Sequence, residues 1–141
     1  MKIILADKTD KKSVLRFYKQ QHYSARYLGF DHVYIIEYDN NIIAAVMVSN
    51  IKPNANVSLL HALVVDKAYQ RQGLATKLLQ HVFKHHGTII CFAQPFLAPL
   101  YQSVAMATLT LAQIEQQLSP ELYLRYLAYK KSQPKLQVFQ N

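Results

Sequence analysis

The stretch Leu63-Val64-Val65-Asp66-Lys67-Ala68-Tyr69-Gln70-Arg71-Gln72-Gly73-Leu74-Ala75 holds the residues best suited to chemistry. An apolar run passes through a short connection containing one Gly into a segment of helical period. The first turn of a helix leaves four backbone N–H groups without intrahelical partners, and its dipole is positive there. Such an end binds anions. Gly73 lets the backbone approach a ligand with no Cβ in the way, and Ala75 is small for the same reason. Arg71 adds a planar cation that can fork onto a phosphate. The segment reads as a phosphate or pyrophosphate cradle. It is neither a Walker loop nor a dinucleotide fingerprint, because the required glycines and Gly-Lys-Ser/Thr are absent.

Other side chains invite weaker readings. His61 titrates near neutrality and can act as a base, or it can be a hydrogen-bonded core histidine. His81 and His85 have the i, i+4 spacing of metal ligands. They flank an apolar stripe with no acidic or Cys partner nearby, so a solvated face is preferred. Cys91 lies in an apolar run and reads as a small buried hydrophobe. Glu37 and Tyr38 read as a solvated strand end.

These residues need elements to position them. Lys2 to Ala6 reads as an edge strand, and Thr9 or Asp10 can cap a helix running to about Gln20. Val33–Tyr38 and Ile42–Val48 are β-rich runs joined by Asp39-Asn40-Asn41, residues that tolerate positive φ. Asn50 to Asn56, with Pro53, reads as a second turn. Val57 to Val65 suits a central strand buried on both faces. By alternation His61 would share a face with Leu63 and Val65. Leu74, Leu78 and Val82 mark an amphipathic helix ending near Gly87, and Thr88–Ala93 is another buried strand. A strand–helix–strand unit of this length should be a right-handed crossover between parallel strands. Pro95 and Pro99 bracket a short helix to about Val104. The tail is mostly helix-like: Ser119-Pro120-Glu121 starts a helix with Leu122, Tyr126 and Tyr129 on one face, before a last strand over Lys135–Phe139. The expected class is α/β with a mixed sheet, an antiparallel meander followed by a parallel β-α-β crossover.

Composition limits the alternatives. The 141 residues are about half apolar (51%), with three Gly and five Pro, which excludes a disordered or collagen-like chain. One cysteine cannot form an internal disulfide. No apolar run approaches the roughly 20 residues that span a bilayer. The first residues are too short and too soon acidic for a signal peptide. The expectation is one soluble cytoplasmic domain over residues 1–141, with no membrane partner. Sixteen Lys and Arg against eight Asp and Glu give +8, which suits a polyanionic partner. The basic residues are scattered, so a dedicated nucleic-acid arm is not indicated.

Gln70-Arg71-Gln72-Gly73-Leu74-Ala75 fits the Q/R-x-x-G-x-G/A pattern of the GNAT superfamily of acyl-CoA-dependent N-acyltransferases, which this chain resembles from about Ile3 to Met106. Leu63 and Val65 are spaced as its L-x-V. Leu100–Met106 is similar to its Y-x-x-x-G-F, with Tyr101 kept, Ala105 replacing Gly and Met106 replacing Phe. Gln94-Pro95 stands where many members have Asn-Pro, and Lys67 where a Pro is common. The tail from 107 to 141 is richer in helix signals than the family's usual strand pair.

The resemblance implies a GNAT-like fold and acetyl transfer from acetyl-CoA to an amine of a small molecule or a protein by direct attack, with no metal. It implies that the N–H groups of Gln70, Arg71, Gln72, Gly73, Leu74 and Ala75 hold the CoA pyrophosphate, with Gln94 nearby. The backbone of Leu63, Val64 and Val65 would pair with the pantetheine arm like an added strand. The amide of Val65 or Val64 would polarise the thioester carbonyl. Tyr101 would protonate the leaving thiolate, unless it is simply a core aromatic. His61 would be the base, directly or through water. Tyr23, Arg26 and Tyr27 would contact the acceptor, for which a basic surface suits an acidic molecule. Monomer and homodimer both fit. The competing reading is a non-catalytic GNAT-like module that senses acyl-CoA or docks on RNA or the ribosome.

Overall fold

The structure is a computed structural model that describes residues 1–27, 31–51 and 56–141. Phe30 and most of the expected Asn50–Asn56 turn, Pro53 included, lie outside the described residues. The strands are β1 (Lys2–Leu5), β2 (His32–Tyr38), β3 (Asn41–Asn50), β4 (Val57–Val65), β5 (Thr88–Ala93), β6 (Ala107–Thr108) and β7 (Gln137–Gln140). The helices are α1 (Lys11–Gln20), α2 (Leu74–His85), α3 (Ala98–Ser103), α4 (Leu111–Gln117) and α5 (Pro120–Ser132). The strands form one sheet in the order β1-β2-β3-β4-β5-β7-β6.

The meander β1–β4 is antiparallel, and β4 pairs with β5 in parallel, as the crossover rule requires. Asp39 and Asn40 take positive φ at the β2–β3 turn. Asp7 starts the first helical segment, accepting from the Thr9 amide and closing a capping box with Asp10. Ser119 caps α5 as its sequence predicts. The tail does supply a strand pair: β6 and β7 are antiparallel, and α4 and α5 fill the connection between them. The helix signals hid β6, which is only two residues long.

Two faces of the sheet are covered. On one, α2 and α3 bury Leu74, Leu78, Leu79, Val82 and Tyr101 against Tyr34, Val46, Leu60, Cys91 and Phe139. On the other, α1 packs Val14, Phe17 and Tyr18 onto Val33, Ile35, Ala45 and Met47. Beside α1, α4 and α5 pack Ile114, Leu122 and Tyr126 onto Leu59, Ile90 and Val138.

The helix-to-strand turn after Tyr101 is made without the expected glycine. Ala105 takes φ +65°. Its N–H donates to Gln102 (3.1 Å) and that of Met106 donates to the Tyr101 carbonyl (3.0 Å). These two bonds are the Schellman pattern that ends helices, here built on an Ala.

Candidate acyl-transfer site

β4 loses one of its two partners along its length. Its pairs with β5 run from Val57↔Thr88 to Leu60↔Cys91 and go no further, although β4 continues to Val65 and β5 to Ala93. Beyond Leu60 the two parallel strands therefore separate, and the β4 edge over Ala62–Val65 is not taken by β5. On its other side β4 stays paired to β3, with Ala45↔Val64 and Ala44↔Val65.

A bulge sits at the point of separation. The β3 register jumps from Ala45↔Val64 to Met47↔His61, so two β4 residues, Ala62 and Leu63, stand opposite Val46. Ala62 has φ +55°. The Tyr18 hydroxyl on α1 donates to the Ala62 carbonyl (2.8 Å) and holds the bulge. The bulge also corrects the alternation expected for His61. Leu63 and Val65 pack with the α2 face, whereas His61 is opposite Met47 on the α1 face. The extra residue reverses the alternation between them.

The cradle follows β4 directly. Asp66 accepts from the Ala68 amide (2.8 Å) and from Gln21 Nε2 (3.1 Å), fixing the start of the connection. The Gln70 side chain donates to the Val65 carbonyl (3.2 Å). Arg71 takes φ +63° and Gly73 φ +79°. No side chain caps α2. A Cβ at Gly73 would meet no atom within 4 Å, so the space over the helix end is open. An uncapped helix end beside an unclaimed strand edge is the donor set that a pyrophosphate followed by an amide-bearing arm requires. The residues present therefore fit CoA.

Tyr101 lies at the vertex where β4 and β5 part. It is 4% exposed and its ring packs on Phe139 at 5.1 Å. Its hydroxyl interacts with Cys91, the last β5 residue paired to β4. Burial pushes the Tyr101 pKa well up, with Cys91 and Tyr23 adding to the effect, so the phenol keeps its proton. Burial also pushes the Cys91 thiol up to about 12, which makes it a poor nucleophile. Tyr23 keeps 41% of its surface exposed, yet burial raises its pKa, opposed by a hydrogen bond from the Ala62 backbone. Tyr23 thus reaches the bulge at the Ala62 backbone, and Tyr101 reaches Cys91.

On the α1 face a cavity of about 640 Å³ opens between the α1–β2 connection and α5. Its floor includes Ser49, Leu59 and His61; one wall carries Tyr23 and Arg26, the other Arg125, Tyr129 and Gln133. The structure thus brings Tyr23, Arg26 and His61 together. Tyr27 is elsewhere, packed with the α1 core, with the Lys11 ammonium 5.8 Å from its ring centre. Gln94, at the end of β5, donates to Gln133 (2.8 Å) and so ties that strand to the α5 wall.

His61 is held by a relay. Ser49 Oγ donates to Asp31 Oδ1 (2.6 Å) and lies 2.7 Å from His61 Nε2. A carboxylate only accepts, and a serine hydroxyl has one proton. Ser49 therefore spends its proton on Asp31 and accepts from His61 Nε2–H, leaving the lone pair on Nδ1. Burial lowers the His61 pKa; Asp31 opposes this and Arg125 reinforces it. The imidazole is neutral, and a base, at neutral pH.

Sequence reasoning missed Asp31, Ser49, Arg125, Tyr129 and Gln133 as site residues. A signal existed for three of them. Arg125, Tyr129 and Gln133 recur at i, i+4 and i+8, one stripe of a helix. Leu122, Tyr126 and Tyr129 read from sequence as one face; Leu122 and Tyr126 are buried, whereas Tyr129 is 44% exposed. His81, His85 and His86 gather around Tyr34, whose hydroxyl lies 2.8 Å from His86 Nε2. Among the described residues no group of three or more His, Cys, Asp or Glu is placed to hold a metal ion. No helix among them is long and apolar enough to cross a membrane.

The profile of the Acetyltransferase (GNAT) family matches residues 2–95, two thirds of the chain, covering the meander, the cradle and β5. The chain belongs to the GNAT acetyltransferase family. Solved structures share the GNAT fold at low identity. An N-acetylglutamate synthase from Neisseria gonorrhoeae, complexed with coenzyme A and N-acetyl-glutamate, aligns with a TM-score of 0.72 at 15% identity. That alignment covers 99% of this chain and 34% of the synthase, so the chain spans about a third of that protein's length. A ribosomal-protein-alanine N-acetyltransferase from Brucella melitensis aligns at 0.62 and 13% identity, over 78% of this chain and 86% of that one. A spermidine N-acetyltransferase variant from Vibrio cholerae aligns at 0.63 and 9% identity, over 78% and 82%. A search of curated protein sequences gives no match.

Proposed function

We propose that the protein is an N-acetyltransferase that takes the acetyl group from acetyl-CoA and passes it to an amine by direct attack. The parting of β4 from β5 carries this reading: it leaves the Leu63–Val65 edge without a partner strand, with the Val65 carbonyl hydrogen-bonded to the Gln70 side chain, beside the uncapped start of α2. The GNAT neighbour complexed with coenzyme A supports the same donor.

The N–H groups from Gln70 to Ala75 hold the pyrophosphate, helped by the positive end of α2. Leu63 to Val65 hold the arm by strand-like hydrogen bonds, and an amide of Val64 or Val65 polarises the thioester carbonyl. Bound acetyl-CoA supplies the activated acyl carbon. His61, its tautomer set by Ser49 and Asp31, receives the proton that the acceptor amine loses. Tyr101 gives its proton to the departing sulfur. Holding amine and thioester in line supplies much of the acceleration.

Thermal unfolding with acetyl-CoA, CoA, ATP and NAD tests the donor site. A ligand at 100 times its Kd adds about 2.7 kcal/mol, a shift of several degrees for a domain of this size. Stabilisation by acetyl-CoA and CoA alone is the expected result. No shift with either would overturn the reading and favour the RNA-docking alternative suggested by the +8 charge.

A further inference from the structure

We infer that the acceptor is a small zwitterion: an amine that also bears a carboxylate, which Arg125 binds while the amine faces His61. The inference rests on the transferase reading above and names its substrate class.

The cavity has a charge arrangement that the reaction alone does not need. Its floor carries His61, joined through Ser49 to the carboxylate of Asp31. Its walls carry two guanidinium groups, Arg26 on the α1–β2 connection and Arg125 on α5. An ammonium group approaching the floor meets the neutral His61 imidazole, behind which Ser49 links to the Asp31 carboxylate. A carboxylate at the wall meets Arg125, whose fork matches its two oxygens. His61 and Arg125 line the same cavity, so one small molecule can face both.

Next to Arg125 on the same helical stripe, Tyr129 and Gln133 also line the cavity with polar groups that suit a carboxylate-bearing molecule. Two guanidinium groups repel a polycation, which selects against a polyamine. A peptide amine carries its next carbonyl as a neutral amide and leaves Arg125 without an anionic partner. The volume of about 640 Å³ lies within the range of small-molecule sites.

The test uses the full chain, acetyl-CoA and matched acceptors: the common amino acids as free acids and as their carboxamides, with spermidine and an alanine-first peptide. Acetyl transfer is followed by CoA release. The expected result is a kcat/KM at least tenfold higher for one or more free acids than for the matching carboxamide. Arg125→Ala should raise KM for that acid about tenfold or more, bring the acid-to-carboxamide ratio of kcat/KM down toward one, and leave the melting shift with acetyl-CoA intact. Arg125→Lys should recover part of the loss. Arg125 is exposed on its helix, so these variants should fold, and their melting temperatures check that. Equal use of acid and carboxamide would overturn the inference, as would preference for spermidine or the peptide. So would an acetyl-CoA melting shift with no turnover of any free acid; that result leaves the donor site standing. Absence of the melting shift itself would instead remove the transferase reading, and the inference with it.

Discussion

In the proposed reaction His61 and Tyr101 would divide the proton chemistry, because their surroundings push their pKa values in opposite directions. His61 is held neutral below its ordinary pKa, first by burial, and Tyr101 is held protonated far above its own. The base form of His61 is lost as pH falls through its lowered pKa. Activity should therefore be flat above about pH 6.5 and decline below it. His61→Gln should remove most turnover and abolish that acid limb; a profile unchanged in the variant would dismiss His61 as the base. Tyr101→Phe should lower kcat about 10²-fold while acetyl-CoA still binds. Equal kcat in the two proteins would return Tyr101 to the core as an ordinary aromatic. His61 was legible as a titrating residue on a strand, and its two possible fates were both visible. The face it occupies was not, because one extra residue at Ala62 reverses an alternation that sequence counts as unbroken. Asp31 and Ser49 gave no signal: each is an unremarkable polar residue until the sheet sets one beside the other.

At the level of elements, two left-handed alanines mark where the chain is pulled away from its preferred conformations. Ala62 forms the bulge, and the buried Tyr18 hydroxyl satisfies its carbonyl. Tyr18→Phe should cost about 1–3 kcal/mol in urea unfolding, the penalty for an unpaired buried acceptor. Turnover should fall as well, since the bulge places both His61 and the open edge. Loss of stability with kcat intact would separate the bulge from catalysis. Ala105 ends α3 in the place where Gly is easier. Ala105→Gly relieves the left-handed strain of about 1–2 kcal/mol and gives back about 0.5–1 kcal/mol in chain entropy. A net gain of up to about 1 kcal/mol should appear as a raised urea midpoint. Most elements could be read from period and punctuation: the Asp39-Asn40 turn, the α2 stripe, the Ser119 cap. β6 could not, because two residues carry no period at all.

Across the whole molecule, the sheet divides the work. The α2 face carries the loop proposed to hold the phosphates and the opposite face carries the cavity proposed for the acceptor; the parting strands lie between them. Histidines on both faces tie stability to pH. His61, His81 and His86 all sit below their ordinary pKa, with burial the first cause in each. The unfolded chain takes up these protons more readily than the native one. Their contribution is thus fully present above about pH 6.5 and is lost as pH falls through the lowered native values. The urea midpoint should drop between pH 7.5 and pH 5.5, and the drop should be smaller in His61→Gln. A midpoint constant across that interval would contradict the burial of these rings.

The parting of β4 and β5 also bears on self-association. An unpaired strand edge on a protein surface is a template for another chain. Here the two outer strands are short, four residues in β1 and two in β6. The open backbone of Leu63–Val65 lies instead inside the sheet, in the notch between two strands that still pair at its base. An unbranched arm carries no side chains and needs less room in such a notch than a polypeptide strand does. The fold can therefore offer strand-like hydrogen bonds to a small molecule from inside the sheet rather than from an outer edge.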